Sequence, residues 1–153
     1  MQNKLIDKTQ KTLTSVYYIV YLLAVLSAVG GYYLTFKGNL YVNPLSETGI
    51  TLTSIFIIYI IGSIPLTLGG FHFMTKKWIE IENEASKIEK YKNGATLRLI
   101  IIGINISIGL LLFYITRSQS MIFCAGIGAI ALFFCKPATG KISSELKLEE
   151  VEQ

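Results

Sequence analysis

Histidine, tryptophan and aspartate each occur once in this chain and cysteine twice, and no acidic or basic residue falls near the middle of any long apolar stretch. Each shortage excludes something. Paired carboxylates, His-x-x-x-His, Cys-x-x-Cys, a glycine-rich phosphate loop and a Ser/His/Asp set are all missing at workable spacing. The chain is therefore expected to be no enzyme and to need no cofactor or metal. Cys124 and Cys135 share one apolar stretch, about 16 Å apart if it is helical. A disulfide bridges Cα atoms within about 7 Å, so these two cannot pair within one chain; they read as small packing residues. Proton-coupled carriers place an ionisable group at mid-membrane depth, and its absence here argues against such transport. Charged residues make up 16% of the chain, against roughly 25% in a soluble domain.

What is abundant is hydrophobicity, at 52% of residues. It is concentrated in four stretches, about 13–35, 52–74, 96–116 and 119–135. Lipid offers no partner for an open amide, so each stretch must close its own hydrogen bonds as a helix. The expected fold is all-α: one polytopic domain over 1–153, an integral membrane four-helix bundle. The third loop, around Arg117-Ser118-Gln119, is so short that the last two spans must form an antiparallel hairpin.

Of the fourteen Lys and Arg, all but Lys37 and Arg117 fall in the N-terminal arm, the second loop with Arg98 just beyond it, or the C-terminal tail. The positive-inside rule then puts both termini and the second loop in the cytoplasm. The net charge of +4 is local to these loops, which favours anionic lipid over nucleic acid as its counterpart. Lys4 to Lys11 followed by an apolar run and Ala28-Val29-Gly30 imitates a cleavable signal. Hydrophobicity continues past that site to Leu34, long enough for a whole span, so length favours retention. Tyr17, Tyr18, Tyr32, Tyr33, Phe71, Phe73, Trp78, Tyr114, Phe133 and Phe134 stand at span ends as interfacial belts.

Between spans two and three, residues 76–91 hold no Gly or Pro, and Trp78, Ile81, Ala85 and Ile88 recur at helical spacing. A short cytoplasmic amphipathic helix is expected there, ending at Asn93-Gly94. Its apolar stripe is a candidate partner surface, or else it covers the bundle's own cytoplasmic end. The tail 137–153 is expected to be mostly solvated, with Ile142 to Glu150 helical only if docked, because so short a helix does not hold alone.

Two candidate sites remain. Ser63, Pro65 and Thr67 of span two and Asn105 and Ser107 of span three fall near mid-depth, with Gly126 and Gly128 of span four. They are candidates for a polar niche or pore lining, Pro65 freeing the carbonyl of Ile61; the competing reading is that they tie helices together. His72, Lys76, Lys77 and Arg98 gather at the inner boundary as a candidate contact for an anionic lipid head group. Two functions follow as expectations. One is a non-enzymatic accessory or assembly subunit that binds another membrane component, a membrane protein or lipid. The other is a self-associating, homo-oligomeric pore or small-solute channel without proton coupling.

Overall fold

The computed structural model describes residues 2–148. Five helices follow one another: α1 (Gln2–Phe36), α2 (Glu47–Ile79), α3 (Glu84–Thr116), α4 (Gln119–Phe134) and α5 (Thr139–Leu146). Local chemistry sets the ends. Ser46 accepts from the Gly49 amide at 3.1 Å and Asn83 accepts from the Ser86 amide at 3.2 Å, each satisfying an orphan donor of a helix start. Glu47 and Glu84 sit in the first turns of α2 and α3, and Lys76 and Lys77 in the last turn of α2, as the helix dipole favours. Arg117 adopts a left-handed φ of 51° and closes α3; one residue later α4 starts back, the expected hairpin.

The helix that holds the others is α3, which packs against α1, α2 and α4, while α5 reaches α1 and α2. On α1 the buried residues Ile6, Leu13, Tyr17, Val20, Ala24 and Gly31 recur at steps of three, four or seven, the spacing of a continuous seam. The two helices run parallel. Gln2 donates to Glu84 at 3.2 Å at one end, and Gly31 lies against the Tyr114 ring at the other. Halfway along, a Cβ on Gly103 would stand 2.5 Å from a Val20 methyl, so only glycine admits this approach. Outward faces are apolar: Ile19, Leu22, Ile58, Leu66 and Ile130 are exposed.

Three helices, α1, α2 and α3, are long and apolar enough to cross a membrane. The fourth apolar stretch is different. It is a helix of 16 residues, about 24 Å, that turns through 80° into α5.

Several expectations need correction. The first span is part of a helix that begins at Gln2, so the lysine-bearing arm is helical too. The separate helix over 76–91 does not form: α2 ends at Ile79, α3 begins at Glu84, and the residues between turn the chain. Asn83 supplies the cap that starts the second piece. Asn93-Gly94 ends nothing, because α3 runs through it to Thr116. Gly94 is needed for contact instead, since any Cβ there would collide with the Trp78 indole. The tail docks as α5, with Ile142 and Leu146 buried; its Glu149, Glu150 and Glu152 lie outside the described residues.

Candidate functional site

The last three turns of α2 present Leu68, Phe71, His72, Thr75, Lys76 and Ile79 at steps of three and four, one helical face. That face does not close against α3. It leaves a cavity of about 580 Å³, completed by Glu80, by Arg98 of α3, and by Ser144, Glu145 and Lys147 at the end of α5.

Arg98 is the unusual member. It is 8% exposed, and its guanidinium carbon lies 3.8 Å from the centre of the Phe71 ring. Phe71 is held edge-on by Trp78 and Tyr91, with ring centres 5.9 and 5.4 Å away, so the cation rests on a fixed aromatic face. Its Nε has no hydrogen-bond partner, and among the described residues no carboxylate pairs with it. A buried cation is costly unless an anion meets it.

Glu145 does not supply that anion. The Tyr91 hydroxyl donates to it at 2.6 Å, and the Lys141 ammonium lies 4.0 Å away. Burial, then the bond to Glu145, pushes the Tyr91 hydroxyl well above its ordinary range, so it remains a proton donor. Lys141 also donates to the Phe134 carbonyl at 2.6 Å, tying α5 to the end of α4. Lys147, in a left-handed conformation at φ 48°, closes α5.

Of the four residues expected to meet an anionic head group, His72, Lys76 and Arg98 line this cavity and Lys77 does not. Lys77 sits about 100° further round α2, exposed, its ammonium 4.8 Å from the Phe73 ring centre. Sequence reasoning missed Ser144, Glu145, Lys147 and Tyr91. The Ile142/Leu146 spacing marked α5 as a helix that could dock, but nothing local said where.

The polar niche divides. Asn105 is fully buried and donates to the Ser63 hydroxyl at 3.0 Å, and Thr67 donates to the Ser63 carbonyl at 2.6 Å. The Asn105 carbonyl oxygen has no partner. Pro65 faces outward on α2. Ser107 lies about 200° round α3 from Asn105, in an apolar groove of about 570 Å³ against α1 with Ser27 and Gly103. Gly128 packs on Ile106, while Gly126 faces open space. These residues form no single lining.

The expected partner stripe is also divided, by the turn between α2 and α3. Trp78 packs on Phe71 and Gly94, Ile88 is in the protein's own core, Ile81 is half-buried, and Ala85 alone is exposed. Comparison with family models, curated proteins and solved structures finds no match to this chain.

Proposed function

We propose that this is a multi-pass integral membrane protein without catalytic activity, which acts by binding another membrane component at the α2–α3–α5 cavity. Both termini and the α2–α3 turn are on the cytoplasmic side, following the lysine bias. The fourth crossing is α4, about 6 Å shorter than a hydrocarbon core of about 30 Å, accommodated by local thinning and by Lys136 reaching outward at its end.

The observation that carries the binding reading is Arg98, buried on Phe71 and unpaired in an open cavity. A chain of this kind is completed by a group from outside itself. The alternative, a homo-oligomeric pore, is less well supported. Asn105 is fully buried and donates to Ser63 within one protomer, and Ser107 lies in a different groove.

Native mass spectrometry of the full chain, extracted in several mild detergents, tests this. A second component, lipid or protein, is expected to be retained. A lone species in every detergent, together with conductance in liposomes holding only this protein, would overturn the reading in favour of the pore. Thiol labelling of Glu82→Cys in sealed cells tests orientation, with labelling from outside as the adverse result.

A further inference from the structure

We infer that the Arg98 cavity is a binding site for a net-anionic phosphodiester, one whose phosphate charge is not cancelled by a cationic head group. This rests on the proposed binding role and names the chemistry that fills it.

The lining gives the charge. Arg98, Lys76 and Lys147 are cationic and Glu80 and Glu145 anionic, and Glu145 already has Lys141 beside it, so the balance around the cavity is positive. An anionic phosphodiester meets this excess of positive charge. Arg98 supplies a planar fork whose terminal nitrogens match two phosphate oxygens, while its Nε is buried without a protein partner. Stacking on Phe71, itself clamped by Trp78 and Tyr91, fixes that fork before any ligand arrives. Lys76 and Lys147 are point charges on separate segments, suited to the remaining oxygens; Thr75 and Ser144 also line the space, but their hydroxyls already donate to the Phe71 and Lys141 carbonyls.

The position of the cavity points to its depth. Leu68 and Phe71 at one end belong to the apolar run of α2, while Lys76, Glu80 and Lys147 at the other belong to the polar end of the fold. A phosphate between them lies at the boundary where glycerophospholipid phosphates lie. A second, apolar cavity of about 250 Å³ flanks the α2–α3 contact and shares only Phe71 and Arg98 with the first. The same chemistry is offered by a water-soluble phosphodiester, so the test separates the two sources.

The full chain, delipidated in a mild neutral detergent, is titrated with phosphatidylglycerol, phosphatidylcholine or glycerophosphoglycerol and followed by native mass spectrometry. Binding of a phosphodiester anion in preference to phosphatidylcholine is expected. Arg98→Gln should weaken it about tenfold or more, the scale of one charge-assisted bond lost. Arg98 packs on Phe71, so the variant that decides is elsewhere. Lys76→Gln and Lys77→Gln make the same change in net charge on adjacent exposed residues, and only Lys76 lines the cavity. Lys76→Gln should weaken binding several-fold and Lys77→Gln should leave it unchanged.

Equal weakening by both would mean diffuse attraction to a basic surface, and would overturn the site. Displacement of phosphatidylglycerol by glycerophosphoglycerol at similar concentration assigns the soluble source; no displacement assigns the lipid. Retention only of a protein, or of phosphatidylcholine equally well, refutes the site for a net-anionic phosphodiester while leaving the broader binding role standing. Retention of nothing refutes both.

Discussion

The two seams that α3 makes with its long neighbours are built differently. Against α1 it forms a parallel pair with a regular apolar register, closed where Gly103 meets Val20 and Gly31 meets Tyr114. Against α2 it makes fewer contacts, hydrogen-bonds through Asn105 and Ser63, and opens at the lysine-rich end around Arg98. In lipid, helices gain little from hiding apolar surface from one another, so close backbone approach decides which pairs are firm. The α1–α3 pair has that approach. The α2–α3 pair trades it for polar atoms and space. One seam is closely packed and the other leaves a cavity.

This contrast can be broken most directly at Leu13, which is 1% exposed on α1. Leu13→Ala should cost about 2–5 kcal/mol, read as a lower unfolding temperature in detergent; a change near zero would mean the α1 seam is not what holds the structure. Next comes a pair of glycines. Gly103→Ala forces a methyl against Val20 and should destabilise by about 1–3 kcal/mol. Gly69→Ala on α2 meets nothing within 4 Å and should be neutral or stabilising by up to about 1 kcal/mol. If both substitutions behave alike, the close approach at Gly103 is not what the α1 seam depends on.

Tyr91→Phe tests what fastens α5. Loss of the bond to Glu145 should cost about 1.5 kcal/mol and speed amide exchange at Ile142, leaving α1 and α3 protected. Because the folded Tyr91 hydroxyl is raised, its contribution is complete below about pH 10, where a free tyrosine ionises, and declines as pH rises further. The stability difference between wild type and Tyr91→Phe should therefore be flat through neutral pH and shrink in strong alkali. The smallest effect is expected at Ser63→Ala, about 0.6 kcal/mol, since hydrogen bonds between helices in membranes average that. A loss of several kcal/mol there would make the α2 seam as firm as the other.

The apolar segments were legible because each must satisfy its own backbone, a demand written in consecutive residues. Their ends were less so. Asn93-Gly94 has the local chemistry of a helix stop, but the flat face of Trp78 needs a glycine beside it, and that contact comes from residues distant in sequence. The break at Glu80 to Asn83 had a visible cap in Asn83, masked by an apolar stripe that continued in register across it. For the site, His72, Lys76 and Arg98 were found together because their depths matched, whereas Lys77 failed because depth ignores azimuth. The α5 residues were hidden for a further reason: an 80° bend, not a periodicity, carries them under α2.

The helical overhang of α1 has a consequence for how the molecule meets a charged surface. Ile6 and Thr9 are buried and Gln2 is bonded to Glu84, so the first three turns stand upright beside α3. Exposed Lys11, Lys8 and Lys4 therefore occupy successive rungs, with Lys4 about 10 Å beyond Lys11 along the axis. That spread exceeds the screening length of about 8 Å at physiological salt. In the orientation proposed, the lowest rung feels anionic head groups strongly and the highest scarcely at all, so three equal charges act as a graded series.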